Sequence, residues 1–124
     1  MTAHPVMAIY RGLDAKRDRP AVFDSEITLT HGELIAHVEA VAAGLAAAGL
    51  RGQRIGLSAS NSWRHLVAYL AIMRAGCVWV PLNPRNGARL NADLQARAGL
   101  SLTLCDAASR DALGGVAEDL KARV

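Results

Sequence analysis

The chain has 124 residues, 52 % of them apolar but only 4 % aromatic, and its net charge of +3 is carried mainly by dispersed arginines. That is enough chain for one buried core and too little for two domains, and without a basic stripe or stacking aromatics it gives little support for nucleic-acid binding. Arg51, Arg54, Arg64 and Arg74 interrupt every candidate for the ~20-residue apolar run of a membrane span, and Met1-Thr2-Ala3-His4-Pro5 shows no leader pattern, so a cytoplasmic location is expected.

From His4 to Leu13 the spacing predicts an opening helix, with Pro5 in its first turn and Val6, Ile9, Tyr10 and Leu13 on one side. After the charged link Asp14 to Arg19, Pro20-Ala21-Val22-Phe23 and Ile27-Thr28-Leu29 read as two short strands around the turn Asp24-Ser25-Glu26. Thr30-His31-Gly32-Glu33 is a capping box that opens a helix carrying Leu34, Val38, Val41 and Leu45 inward. Gly49 and Leu50 provide its Schellman ending, and the Ala-rich face from Ala40 to Ala48 suggests close packing on a sheet.

The central stretch runs from Arg54 to Pro84. Arg54 to Ser58 reads as a strand, Ser62 as the N-cap of a helix from Trp63 to Ala75, and Cys77 to Val80 as a second strand. Trp63, Leu66, Val67, Leu70 and Met73 form the predicted buried stripe of that helix. Strand, helix and strand in this order make a right-handed βαβ crossover. Pro81-Leu82-Asn83-Pro84 is an extended loop and Asn86-Gly87 a turn. A helix from Arg89 to Ala98 follows, with Leu90 and Leu94 inward and Gly99 as its stop. Leu100 to Cys105 reads as a third parallel strand and Asp106 to Ser109 as its exit loop. A last helix is expected from Arg110 onward, with Leu113, Val116, Leu120 and Val124 on one face, weakened by about 1 kcal/mol for each of Gly114 and Gly115. The fold class is therefore α/β: a layered sandwich with a mostly parallel sheet flanked by helices, plus a small N-terminal β-hairpin, in a single domain over residues 1–124.

Tests for chemistry give no self-contained catalytic set. Gly56-Leu57-Ser58-Ala59-Ser60 is one residue short of a nucleophile elbow, and no histidine lies beyond His65 to complete a triad in that order. Glycine-rich phosphate loops do not occur, and His4, His31, His37 and His65 lack metal-ligand spacing. Glu33 and His37, one helical turn apart, are expected to pair at the surface. Cys77 and Cys105, each in a predicted strand and in no cluster, read as small buried thiols. No catalytic and no metal-binding residue is assigned.

Several segments taken together resemble one family. They are Pro20-Ala21-Val22, Leu29-Thr30-His31-Gly32-Glu33-Leu34, Ala42-Ala43-Gly44-Leu45, the passage Gly49 to Ile55, Asn61-Ser62, Ala68-Tyr69-Leu70-Ala71, Arg74-Ala75-Gly76 and Val80-Pro81-Leu82-Asn83-Pro84. In this order they are similar to the N-terminal segment of the adenylate-forming, AMP-binding enzymes, over about Pro20 to Asp106 and extending along the chain. The Pro-Leu-Asn-Pro loop leans towards the acyl-CoA synthetase branch. The resemblance implies a ligase of fatty-acid metabolism that uses ATP, Mg2+ and coenzyme A in the full-length enzyme, with the phosphate loop and the C-terminal lid beyond Val124. It implies that this chain is an inactive scaffold by itself, with the remaining subdomains of the parent as partners and a tendency to self-associate through apolar surface left uncovered. One residue carries over: Arg110, four residues after Asp106, falls where acetyl-CoA synthetases place an arginine on the nucleotide part of coenzyme A. The second arginine of that motif is Leu113 here. A stand-alone, non-catalytic α/β module that binds a partner protein is the alternative.

Overall fold

Thr30 ends one strand and starts a helix in the computed structural model, which describes residues 4–113 and 117–124. Its Oγ1 accepts from the Glu33 N–H at 3.1 Å, and Glu33 Oε1 accepts from the Thr30 N–H at 2.9 Å. This is the reciprocal cap that the sequence predicts. Helix α2 here spans His31–Ala47; α1 is the single turn Leu13–Lys16 before it. Gly49 takes φ 76° after its last turn, and the Leu50 N–H donates to the Leu45 carbonyl at 3.1 Å, a Schellman ending. The Ala-rich face does not pack on a sheet. Ala40, Ala43, Ala46 and Ala47 are exposed, because Leu34, Val38, Val41 and Leu45 occupy the inward stripe and bury more apolar surface.

The hairpin forms as expected, from β1 (Pro20–Phe23) and β2 (Thr28–Thr30), paired antiparallel. The opening helix does not. Residues Pro5–Tyr10 make a 3-10 helix capped by His4 Nδ1, and Gly12 at φ 63° separates it from α1. Val6 is its buried anchor, and Tyr10 reaches Glu39 of α2, which also takes Arg74 at 3.1 Å.

The main sheet has four parallel strands: β3 (Arg54–Ser58), β4 (Val78–Pro81), β5 (Leu102–Cys105) and β6 (Glu118–Asp119), in the order β4-β3-β5-β6. Helix α3 (Trp63–Arg74) joins β3 to β4, and α4 (Ala88–Ala98) returns the chain past β3 to β5. The two crossovers run in opposite directions, so a common right hand puts their helices on opposite faces. Ile55, Leu57 and Leu104 face α2 and α3 in the main core, together with Val67, Ala71 and Ile72. Thr103 and Cys105 face the other way. Helix α3 buries a wider stripe than expected: Leu66 and Met73 are half-buried, while Ala68, Ala71 and Ile72 go fully inward. Among the described residues no helix is long and apolar enough to cross a membrane.

On the α4 face two expectations fail. Leu90 and Leu94 are 47 % and 36 % exposed, and Asn91 is completely buried in their place. Its Nδ2 donates to the Asn83 carbonyl at 3.0 Å and the Ala112 carbonyl at 2.8 Å. One turn on, Gln95 Nε2 donates to the Leu113 carbonyl at 3.2 Å, and its Oε1 accepts from Thr103 Oγ1 at 2.9 Å. The irregular segments under α4 bring carbonyls without ladder partners, and a buried carbonyl needs a donor more than the helix needs another leucine contact. Among the described residues the final helix is also absent. Arg110–Leu113 is one 3-10 turn, β6 follows, and Leu120–Ala122 is a second 3-10 turn. Leu113 packs with Cys105 and Leu82 on one face of the sheet, whereas Leu120 joins the main core on the other. One helical stripe cannot serve both faces. Gly114, Gly115 and Val116 lie outside the described residues.

Candidate functional site

The carboxyl ends of β3 and β5 meet where the strand order reverses, the place where open α/β sheets bind ligands. Ser58 and Cys105 sit there in register. Ser58 is buried, and its Oγ has no hydrogen-bond partner among the described residues. It therefore has no base to activate it. His65 turns instead to the Ser60 carbonyl, with Nδ1 at 3.2 Å. Gly56 serves packing: a Cβ there would stand 2.6 Å from Leu100 Cδ1. Both cysteines are buried, as the sequence suggests, and burial pushes both thiols up.

The reversal point is closed by Asp106. Its Oδ2 accepts from the Ser60 N–H at 2.8 Å and its Oδ1 from the Ser109 N–H at 2.9 Å, so one carboxylate ties the exit loops of β3 and β5. Burial raises this carboxyl, but the hydrogen bonds from Ser109 and Ser60 outweigh it and hold the group below its ordinary value. The sequence marks Asp106 only as a loop residue; the signal for its role is an Asx-type turn, Asp followed three residues later by Ser.

Beside this latch lies a cavity of about 200 Å³ lined by Glu26, Ser62, Arg64, Asp106, Asp119 and Lys121. The hairpin turn builds one wall. Asp24 Oδ2 accepts from the Trp63 N–H at 2.8 Å, while Ser62 Oγ accepts from the His65 N–H at 3.2 Å, so both residues cap α3. Glu26 takes Arg64 Nη1 at 2.8 Å, and that hydrogen bond holds the Glu26 carboxyl below its ordinary value. The Arg64 guanidinium lies 4.5 Å over the Trp63 ring. Asp24, Arg64, Asp119 and Lys121 are not distinguished by any motif in the sequence, because the topology brings them together from three separate segments.

Arg110 stands at the rim, with Nη2 3.9 Å from Asp119 Oδ2. That separation is well beyond a charge-assisted hydrogen bond of about 2.8 Å. The guanidinium is partly exposed and weakly engaged. Glu33 and His37 do not form the expected surface pair: Glu33 is engaged by Thr30, and His37 meets Trp63 edge to face at 5.1 Å between centroids.

Residues 10–123 match the family of AMP-binding enzymes. The chain is 35% identical over 106 residues to the AMB antimetabolite synthetase AmbE of Pseudomonas aeruginosa, covering 82% of this chain and 5% of that protein. It is 34% identical over 70 residues to the mitochondrial medium-chain acyl-CoA ligase ACSF2 of Pongo abelii, covering 56% of this chain and 11% of that one. The fold is similar, with a TM-score of 0.78 at 22% identity, to NpsA-ThdA, an artificially fused adenylation-PCP di-domain NRPS from Klebsiella oxytoca, covering 94% of this chain and 23% of that chain. The chain thus spans a quarter or less of the length of each of these three proteins. The ordered segments from Pro20 to Asp106, the reversal of strand order at β3 and β5, and a match that runs almost end to end agree: the chain belongs to the AMP-binding enzyme family.

Proposed function

We propose that residues 1–124 form the N-terminal part of an acyl-CoA synthetase of fatty-acid metabolism in the cytoplasm. In that enzyme they serve as scaffold for ATP- and Mg2+-dependent activation of a carboxylate and its transfer to coenzyme A. The observation that carries the reading is the family match over residues 10–123, and the similarity to an acyl-CoA ligase supports the branch. The Pro81-Leu82-Asn83-Pro84 loop that suggests this branch is firmly held. Leu82 is buried, Asn83 Oδ1 accepts from the Arg85 N–H at 2.9 Å, and the Asn83 carbonyl accepts from Asn91.

Bound coenzyme A would supply the acceptor thiol. This chain's own contribution is binding and orientation: Arg110 would hold a phosphate of the nucleotide, Asp119 would yield it, and Asp106 would keep the β5 exit loop in place. No base or nucleophile is assigned to these residues, and the chain alone is expected to be inactive.

A carrier-protein thiol is the second reading, favoured by similarity to the Klebsiella adenylation-PCP di-domain. Sequencing the gene downstream of the Val124 codon tests the scaffold reading. A frame continuing into a Ser/Thr/Gly-rich loop that ends in lysine supports it, and a stop codon there contradicts it. With the complete product, acid-dependent thioester formation on coenzyme A supports the synthetase branch. Transfer only to a carrier protein overturns that branch while leaving the scaffold reading intact.

A further inference from the structure

The turn Asn86-Gly87, which leads into α4, plays no part in the candidate site. Asn86 ends a 3-10 turn of three residues, Pro84–Asn86, and Gly87 leaves it at φ 81°. Both residues are exposed, and Asn86 opens onto a hollow of about 510 Å³ shared with Arg89, Leu90 and Asp93.

An asparagine carries its own electrophile, the side-chain carbon Cγ, and the backbone nitrogen of the next residue can close a five-membered ring onto it. Four asparagines are available, and the structure separates them. Asn91 is completely buried in α4, with Nδ2 donating to two carbonyls. Asn83 precedes Pro84, whose nitrogen has no proton to lose. Asn61 is exposed but precedes Ser62, whose Cβ hinders the approach and whose side chain caps α3. Of the four, only Asn86 combines exposure with a following glycine, and the missing Cβ opens backbone conformations closed to other residues.

Little holds Asn86 back. A 3-10 turn has poor hydrogen-bond geometry, and so short a segment opens at low cost. Among the described residues its side chain makes one hydrogen bond, from Nδ2 to Asn91 Oδ1, and at 3.4 Å that bond is long. Arg85 and Arg89 flank the turn with no ion pair among the described residues, whereas Asp93 takes Arg97 at 3.0 Å. Their positive charge favours the anion that develops as the ring closes.

We propose that Asn86 is a self-modification site, at which the Gly87 nitrogen cyclises onto the Asn86 side chain and water then opens the ring. The Gly87 nitrogen loses its proton and bonds to Cγ; the Cγ–Nδ2 bond breaks, and Nδ2 leaves as ammonia with that proton. Water then cleaves one of the two ring C–N bonds. Cleavage at Cγ yields aspartate, and cleavage at the backbone carbonyl yields isoaspartate, with the main chain one methylene longer. Neither step needs an oxidant or a reductant. Either product lowers the net charge by one from +3 and takes the Asn86 amide from the buried Asn91 Oδ1. Asn91 holds the Asn83 and Ala112 carbonyls, so the modification strikes the link between the Pro81–Pro84 loop and the turn that carries Arg110.

Incubation of the chain at 37 °C and pH 8, with cation-exchange chromatography and tryptic mass mapping, tests this. Arg64, Arg85 and Arg89 place the four asparagines on four different peptides. The expected result is an earlier-eluting species about 1 Da heavier, with the change confined to the peptide Asn86–Arg89 and part of it methylated by an isoaspartyl methyltransferase. Asn86→Gln lengthens the side chain so that the five-membered ring cannot form, and it should cut this species about tenfold. A synthetic peptide spanning Pro84–Arg89 supplies the clock. A chain that remains one species while half of that peptide converts overturns the proposal, and so does modification that falls first on Asn61 or that persists in Asn86→Gln.

Discussion

The two faces of the main sheet are held by different chemistry. On the α2 and α3 face, Leu45, Ile55, Val67, Ile72 and Leu104 are fully buried in one apolar cluster. On the α4 face the buried apolar set is small, Leu82, Cys105, Leu113 and Ala117, and Asn91 and Gln95 hold the surrounding carbonyls. The apolar face supplies the drive to fold, which is non-directional. The amide face fixes where the loops at the candidate site sit, because hydrogen bonds are directional.

This contrast is open to direct attack. Leu104→Ala removes a fully buried side chain between sheet and helices and should cost about 3 kcal/mol in urea unfolding. Asn91→Ala strands the carbonyls of Asn83 and Ala112 and should cost about 2 kcal/mol. It should also shift the amide resonances of residues 83–86 and 109–113, which Leu104→Ala leaves in place in the folded state. Leu90→Ser, one residue away but exposed, should stay within about 0.5 kcal/mol of the parent. A larger loss from Leu90→Ser than from Asn91→Ala would reverse the two faces of α4 and undo the comparison.

Titration of Asp106 sharpens the same picture at the point where the faces meet. Its folded carboxyl is lower than its ordinary value. The stability it contributes is therefore complete above the unfolded carboxylate pKa of about 3.9 and is lost as pH falls from there through the folded value. Asp24 and Glu26 shift in the same direction, so only a difference isolates Asp106. The stability gap between the parent and Asp106→Asn should stay constant from pH 7 to 5 and narrow below pH 4. A gap that widens on acidification contradicts the latch.

What was legible in the sequence follows from the same division. The Thr30–Glu33 box, the Gly49 ending, the Ser62 cap and the strands around α3 were readable because each depends on near neighbours in sequence or on apolar periodicity. Asn91 and Gln95 share the helical spacing of a buried stripe, yet a reading that counts apolar residues chooses Leu90 and Leu94. Leu113 and Leu120, seven residues apart, suit one helical face equally well, and only the sheet reveals that they serve opposite sides. At the candidate site, resemblance alone singles out Arg110. Arg64 and the Asp119–Lys121 segment come from distant parts of the chain that no local pattern joins to it.

Isothermal titration of the chain with ATP and with coenzyme A separates scaffold from nucleotide site. No measurable heat is expected from ATP, together with weak coenzyme A binding that falls about tenfold in Arg110→Ala and strengthens in Asp119→Asn. Clear ATP affinity would contradict the scaffold role, and coenzyme A binding indifferent to Arg110 would contradict the site.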